Sequence, residues 1–202
     1  MAARSEVWDR AAQAYARQEH LERQAVCRAL AYLAPGTEER LLDVATGTGV
    51  VLRELAGRPG RPAQAVGLDG SEEMLARIGP LPVGWRTVLG DATALAFDAA
   101  SFDIATAAYL LQVLEPHERS AALHELHRVV RPGGRLAVVT TWSPRPALRA
   151  VLAALARAAP ASLIGLRPHD PRADLAASGW RLERVAILRG GYPSLVALAR
   201  RG

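Results

Sequence analysis

The residues best suited to chemistry lie in a turn of small residues that follows a short apolar strand. Asp43 stands near the end of that strand, and Ala45, Gly47 and Gly49 follow at alternate positions. Small residues let backbone N–H groups approach a ligand closely. A helix is expected to begin at Val50, and its first turn adds unpaired N–H groups and a partial positive charge. The turn is therefore predicted to bind a negatively charged group of a cofactor.

The spacing within this turn excludes two common nucleotide-binding motifs. The dinucleotide fingerprint requires a third glycine three residues after the second, and the residue at that position is Leu52. The phosphate loop of nucleoside triphosphatases requires a Gly-Lys-Ser/Thr sequence, and the chain contains no lysine. What remains is an acid followed by alternating small residues.

Two further carboxylates stand at the ends of the next two apolar runs. Asp69 comes about twenty residues after the glycine turn, where an acid can accept both hydroxyls of a ribose. Ser71 is suited to cap a helix that begins with Glu72 and Glu73. Asp91 ends the third run.

Taken in order, these segments resemble the class I methyltransferases that use S-adenosylmethionine. The resemblance covers residues 40–141 and rests on Asp-Val-Ala-Thr-Gly-Thr-Gly (43–49), Gly-Asp-Ala (90–92), Ser-Phe-Asp (101–103) and Arg-Pro-Gly-Gly (131–134). The combination is most similar to the branch that contains the ubiquinone/menaquinone-biosynthesis methyltransferases and many small-molecule methyltransferases. Ala45 stands where glycine is usual in the family. Alanine is tolerated at this position in the branch just named, so Ala45 restricts the resemblance to that subgroup.

The resemblance implies S-adenosylmethionine as cofactor and S-adenosylhomocysteine as product. The cofactor-binding residues that it implies are Tyr15, Asp43, Ala45, Thr46, Gly47, Gly49, Asp69, Gly70, Met74, Asp91, Ala92 and Ala107. In the family Met74 would lie against the adenine, and a place in the core of its own helix fits the sequence equally well. The chain has neither a His/Cys cluster at metal-ligand spacing nor an acidic trio, so no metal is expected.

The sequence indicates less about the methyl acceptor than about the cofactor. The enzyme has to align the acceptor with the methyl–sulfur bond, and a base is needed only if the acceptor arrives protonated. His20 and Tyr15 are the candidate catalytic residues, ahead of His117 and His169. The predicted reaction is methyl transfer to an oxygen, nitrogen or carbon atom of a small, largely apolar metabolite, with secondary-metabolite biosynthesis as one setting. The alternatives are a quinone-biosynthesis C-methyltransferase and a cofactor-binding protein that catalyses a non-methylating reaction such as cyclisation.

Composition and charge restrict the class of partner. All 25 basic residues are arginines scattered along the chain, and the formal net charge is +5. Because no stacking aromatic residues are interleaved with them, nucleic acid is not an expected substrate. A single cysteine, Cys27, is typical of a reducing compartment. Neither a signal-peptide core nor an apolar run long enough to span a membrane is present, so a cytoplasmic bacterial protein is predicted, and both a monomer and a homodimer stay open.

The elements that must position these residues alternate between strand and helix along the chain. Such alternation predicts an α/β fold, here a Rossmann-like three-layer sandwich with a seven-stranded, mostly parallel sheet and an antiparallel C-terminal hairpin. The 202 residues are expected to form one domain. Its predicted parts are a helical N-terminal lid (1–34), a cofactor-binding core (40–141), a helical insertion over the acceptor pocket (143–171) and the terminal hairpin (180–200).

Overall fold

A computed structural model describes residues 19–158, 167–190 and 192–202 of the chain. The strands are β1 (Arg40–Val44), β2 (Gln64–Asp69), β3 (Trp85–Leu89), β4 (Phe102–Ala108), β5 (Val130–Thr141), β6 (Trp180–Leu188) and β7 (Ser194–Arg201). The helices of the described ranges are α1 (Glu19–Leu33), α2 (Val50–Ala56), α3 (Glu72–Leu75), α4 (Pro116–Val129), α5 (Pro146–Ala158) and α6 (Arg172–Ala177), with one 3₁₀ turn at Leu111–Val113.

All seven strands form a single sheet in the order β3-β2-β1-β4-β5-β7-β6. Strands β1 to β5 are parallel, and β7 runs antiparallel to both β5 and β6. The strand order reverses at β1, which pairs with β2 on one side and β4 on the other. Ligands of open parallel sheets bind beyond the carboxyl ends of the strands at such a reversal. The predicted Rossmann-like sheet and its antiparallel hairpin are confirmed.

Each face of the sheet carries its own hydrophobic core. Leu41 and Leu42 are consecutive in β1 and belong to opposite cores, because successive side chains of a strand point to opposite faces. Helices α4 and α6 cover one face, and α1 and α2 cover the other. The apolar residues that α1 contributes to its core are Ala25, Val26, Ala29, Leu30 and Leu33.

Several predicted boundaries shift by one or two residues. Helix α4 begins at Pro116, where the Glu118 carboxylate accepts a hydrogen bond of 2.8 Å from the Glu115 N–H. Strand β3 ends at Leu89, so Asp91 lies two residues beyond the strand that it was predicted to end. Residues 1–18 of the predicted lid, and residues 159–166 of the predicted insertion, lie outside the described ranges. Across those ranges, no helix is both long enough and apolar enough to cross a membrane.

Candidate functional site

The first carboxylate of the motif is buried beneath the turn. Asp43 is 0% exposed, and its two oxygens accept hydrogen bonds of 2.6 Å from the hydroxyls of Thr46 and Thr106. Burial raises the pKa of Asp43 to about 6; the two threonine hydrogen bonds oppose the rise, and the charge of Asp69 adds to it. Because Thr106 belongs to β4, Asp43 ties the turn to the neighbouring strand. A direct contact between Asp43 and the cofactor stays a prediction.

Three residues of the turn adopt left-handed backbone conformations at alternate positions. Their φ angles are 59° at Ala45, 56° at Gly47 and 85° at Gly49. Glycine reaches this region without strain, whereas the Cβ atom of Ala45 costs about 1 kcal/mol there. The Gly49 N–H closes the turn with a hydrogen bond of 2.9 Å to the carbonyl oxygen of Thr46. The alternating small residues are therefore required by the backbone of the turn itself.

The turn lies directly across β2 at Gly67. The Thr46 N–H donates to the carbonyl oxygen of Leu68 at 3.0 Å. A Cβ atom on Gly67 would lie 2.8 Å from Leu52 Cδ1 and 2.9 Å from Thr46 Oγ1, too close for either. Sequence analysis treated Gly67 only as part of a strand. The available signal was a glycine in a strand interior, which often marks the close approach of another segment.

The second carboxylate joins two of the predicted motifs. Asp69 ends β2, and its Oδ2 accepts a hydrogen bond of 2.8 Å from the Gly47 N–H. Its Oδ1 accepts one of 3.0 Å from the Ser71 N–H. An ionised carboxylate has about four acceptor positions, and these two N–H groups occupy two of them. The glycine turn, the end of β2 and the start of α3 therefore meet at one side chain.

Ser71 caps α3 as predicted. Its backbone is extended, and its Oγ accepts a hydrogen bond of 3.1 Å from the Met74 N–H. Met74 is 2% exposed, which agrees with a core position in its helix, and its proposed contact with adenine stays a prediction. Gly70, between Asp69 and Ser71, is exposed.

The third carboxylate lies in the loop after β3, beside the other two motifs. The Gly90 N–H donates to the carbonyl oxygen of Asp69 at 2.9 Å, which brings the loop against the end of β2. Asp91 accepts hydrogen bonds from the N–H and the hydroxyl of Thr93, at 2.9 and 2.8 Å. Asp91 and Ala92 are both half-buried. The structure therefore brings the three predicted motifs together at the carboxyl ends of β1, β2 and β3.

The carboxyl end of β4 carries a polar cluster that sequence analysis missed. Ala107 is buried there, and its place beside the cofactor stays a prediction. Tyr109 follows with a φ angle of 58°, and its N–H donates to the carbonyl oxygen of Val139 at 2.7 Å. Its hydroxyl lies 2.9 Å from Ser194 Oγ, and its ring packs edge-to-face against Tyr192 at 5.7 Å. No local motif marks these residues, because their partners are distant in sequence.

The structure describes three of the four candidate catalytic residues. Tyr15 lies outside the described residues, and His20 is exposed in the first turn of α1. His117 is exposed at the start of α4. His169 contacts Asp174 at 2.6 Å, and both burial and the charge of Arg119 lower its pKa. The catalytic roles of Tyr15 and His20 therefore stay predictions.

Metal-ligating side chains do not converge in the part of the chain that the structure describes. A group of three or more His, Cys, Asp or Glu side chains able to hold a metal ion was not found among those residues.

Comparison with known proteins identifies a matching family and several similar proteins. The family described as "Methyltransferase domain" matches residues 41–134. The demethylmenaquinone methyltransferase of Mycolicibacterium vanbaalenii is 35% identical over 182 residues, which cover 80% of this chain and 77% of that protein. The ubiquinone/menaquinone biosynthesis C-methyltransferase of Dinoroseobacter shibae is 40% identical over 126 residues, and the chain spans only about half of it, 49%.

A solved structure shares the fold at low sequence identity. It comes from the complex between the Haloferax volcanii methyltransferase activator Trm112 and a methyltransferase. The TM-score is 0.75 at 18% identity, and the match covers 96% of both chains. At this identity the likeness concerns the fold alone.

Proposed function

The chain belongs to the class I S-adenosylmethionine-dependent methyltransferase family, and from this premise we propose that it transfers a methyl group to an oxygen, nitrogen or carbon atom of a small, largely apolar metabolite. One observation supports the proposal most directly. The Asp69 carboxylate accepts the Gly47 N–H at 2.8 Å, so the glycine turn and the acid of the second strand form one continuous surface. A turn and an acid that served only the fold would not have to meet at the strand reversal.

The residues of this surface suit the parts of the cofactor. Asp69 would accept the ribose hydroxyls, and Asp91 would accept the adenine amino group. The left-handed turn at Gly47 and Gly49 has no side chain at either position, so the methionine moiety would be able to lie directly against its backbone. The close approach that Gly67 permits keeps this turn pressed against β2. S-adenosylmethionine supplies, when bound, a methyl group already activated on a positively charged sulfur.

The chain's contribution to the rate would then be positioning and exclusion of water. Holding two reactants in line for reaction can supply roughly 7–11 kcal/mol of the barrier. Buried apolar side chains flank the end of β4, among them Ala107 and Leu110. The charge is neutralised when a sulfonium meets an anionic nucleophile, and it is spread over two atoms in the transition state when the nucleophile is neutral. An apolar surrounding therefore favours the transfer in both cases.

A second candidate follows from the relatives. The Mycolicibacterium protein, 35% identical across 77% of its length, is a demethylmenaquinone methyltransferase. That similarity favours transfer to a carbon atom of a quinone precursor as the specific reaction. The segments that would select the acceptor include residues outside the described ranges. This candidate function therefore rests on the similarity to the relatives alone.

The test is the production of S-adenosylhomocysteine by the purified full chain. The chain would be incubated with S-adenosylmethionine and a panel of acceptors: demethylmenaquinone, 2-naphthol, 1-naphthylamine and 1,3-cyclohexanedione. We expect S-adenosylhomocysteine and methylated product in equal amounts with at least one acceptor, measured by mass spectrometry against a reaction without acceptor. If the chain binds S-adenosylmethionine in calorimetry and converts a probe without consuming the cofactor, the methyl-transfer proposal is wrong and a non-methylating reaction is favoured.

A further inference from the structure

A cavity of about 200 Å³ lies between the ends of α1 and α2. Leu30 and Leu55 line it and are each only 1% exposed, so they form its base. The apolar lining continues with Ala31, Pro35 and Pro59. Two arginine side chains, Arg58 and Arg61, complete this lining. The cavity therefore combines an apolar surface with positive charge.

The cavity lies at the amino ends of the strands. Because β1 and β2 are parallel, α2 must return the chain from the carboxyl end of one to the amino end of the other. Leu55 stands near the far end of this helix. Beyond it, the Ala63 N–H donates a hydrogen bond of 2.9 Å to the carbonyl oxygen of Thr37, just before β1. The cavity is therefore separate from the three motifs at the carboxyl ends of β1 to β3.

Hydrogen bonds outside the cavity hold its two walls in place. The Arg135 side chain donates to the carbonyl oxygen of Leu33 at 2.9 Å, which fixes the end of α1. The indole N–H of Trp85 donates to the carbonyl oxygen of Pro62 at 2.8 Å, which fixes the opposite loop. That loop has the sequence Gly-Arg-Pro-Gly-Arg-Pro (57–62), and its prolines restrict the backbone further. A wall that is already ordered lowers the entropic cost of binding a ligand.

Positive charge exceeds negative charge around the cavity. Across the described ranges, neither Arg58 nor Arg61 has a carboxylate at salt-bridge distance. The Glu54 carboxylate is near Arg58, but it accepts hydrogen bonds from Arg23 at 2.6 Å and from Cys27 at 3.3 Å. Burial opposes ionisation of Glu54, yet these hydrogen bonds and the charges of Arg23 and Arg58 lower its pKa. An anionic ligand would therefore be attracted to this surface.

The volume and the lining restrict the chemistry of a ligand. An engineered cavity of about 150 Å³ binds benzene, whereas pockets for drug-sized molecules begin at roughly 300 Å³. A volume of about 200 Å³ therefore suits one ring with one small substituent. A guanidinium group binds a carboxylate through two parallel hydrogen bonds. A ring that carries a carboxylate satisfies both requirements.

We propose that this cavity is a binding site for a small carboxylate with a single ring. The carboxylate pairs with Arg58 and Arg61. The ring packs against Pro35 and Pro59, above the buried leucines. This site shares no residue with the candidate cofactor site, so it is independent of the proposed methyl transfer.

The experiment follows the backbone amide signals of the ¹⁵N-labelled full chain by NMR during titration with benzoate. We expect saturable shifts concentrated in residues 30–34 and 57–61, with a Kd of about 1 mM. Benzamide keeps the ring without the charge, and acetate keeps the charge without the ring. Each should bind at least about tenfold more weakly than benzoate, because each loses one of the two interactions.

Two variants and a control locate the interaction at the cavity. The double variant Arg58→Gln, Arg61→Gln removes the charge, and Ala31→Phe places a ring in the cavity from an exposed position of α1. Both should raise the Kd for benzoate by about tenfold or more. The control Arg86→Gln changes an exposed arginine of β3 and should leave the Kd within about twofold. Melting temperatures measured in parallel should stay close to that of the wild type, since the substituted side chains are at the surface.

Three results overturn the proposal. The first is the lack of saturable shifts in residues 30–34 and 57–61 at benzoate concentrations up to about 20 mM, including the case in which shifts occur only at the carboxyl ends of the strands. The second is equal affinity for acetate and benzoate, since surface arginines attract any anion. The third is a Kd for benzoate that is unchanged in Ala31→Phe, a variant that does not depend on how the arginine loop tolerates substitution.

Discussion

The predicted cofactor side and the predicted acceptor side of the sheet edge, called here the cofactor side and the acceptor side, are built by different kinds of contact. On the cofactor side, at the ends of β1 to β3, each carboxylate accepts a hydrogen bond from a residue two or three positions later in the chain. Such pairs are Asp43 with Thr46 and Asp69 with Ser71. On the acceptor side, at the ends of β4 to β7, Tyr109 contacts Ser194, 85 residues away.

This difference determines how each side is expected to respond to substitutions. The cofactor side also has longer contacts, from Thr106 to Asp43 and from Gly47 to Asp69, but local hydrogen bonds from its own loops hold each carboxylate as well. A site held by distant contacts depends on the relative placement of α1, β4 and β7. We therefore expect a substitution on the cofactor side to change the affinity for the cofactor or the pKa of a single group. A substitution on the acceptor side is expected to change the packing of several elements.

The largest effect is expected from Asp69→Ala. Loss of two hydrogen bonds between a carboxylate and ribose hydroxyls should raise the Kd for S-adenosylmethionine about 1,000-fold, or roughly 4 kcal/mol. Isothermal titration calorimetry measures the change. The matched control is Asp103→Ala at the opposite end of the sheet, where Asp103 accepts from the Arg40 N–H at 2.7 Å and from Arg131 at 2.6 Å. That variant should lose stability and keep its affinity. Equal affinities for the two variants would contradict the ribose assignment.

The second effect concerns the buried acid of the turn and its dependence on pH. Because the pKa of Asp43 in the folded chain, about 6, lies above its ordinary value of 3.8, the folded state binds the proton more tightly than the unfolded state. The stability that Asp43 contributes is therefore complete below pH 3.8 and is lost as the pH rises through 6. At about 1.4 kcal/mol per pKa unit, the loss is about 3 kcal/mol.

Asp43→Asn removes this titration with little change in shape. The free energy of unfolding of the wild type, measured relative to the variant by urea denaturation, should fall as the pH is raised from 4 to 7.5. Comparison at several pH values separates Asp43 from carboxylates whose pKa is lowered in the folded chain, such as Glu125. A difference that does not vary over this range would show that Asp43 does not change its protonation state between pH 4 and 7.5, which contradicts a pKa of about 6.

The smallest effect is expected from Ser194→Ala on the acceptor side. The change leaves the buried Tyr109 hydroxyl without its acceptor and should lower the free energy of unfolding by about 1–2 kcal/mol. The Kd for S-adenosylmethionine should not change, whereas KM for an acceptor should rise because Tyr109 loses its anchor. Urea denaturation and steady-state kinetics measure the two quantities. A Kd that rises as much as KM would mean that the two sides are not independent.

The same contrast explains what could be predicted from the sequence. The alternation of strands and helices, the glycine turn and the Ser71 cap were predictable, since each depends on residues close together in the chain. The positions of the three carboxylates near strand ends were predictable in the same way, and their roles toward the cofactor stay predictions. Gly67 was overlooked because its role depends on Leu52 and Thr46, which approach it only in the fold.

The acceptor side was not predictable for a further reason. Tyr109 is distinguished only by its partners, of which Ser194 lies 85 positions away in the numbering. A contact between residues so far apart produces no periodicity and no motif that can be recognised in a single sequence.

The position of β7 also has a consequence for how the chain is made. Strand β7 follows β6 in the sequence but lies between β5 and β6 in the sheet. During synthesis β6 therefore leaves the ribosome before the strand that will attach it to β5 exists. Until residues 194–201 emerge, the backbone groups of both β5 and β6 along this junction have no strand to pair with and can pair with other chains. Ser194, the first residue of β7, is also the anchor of Tyr109, so the acceptor side is assembled at the same late moment as the sheet.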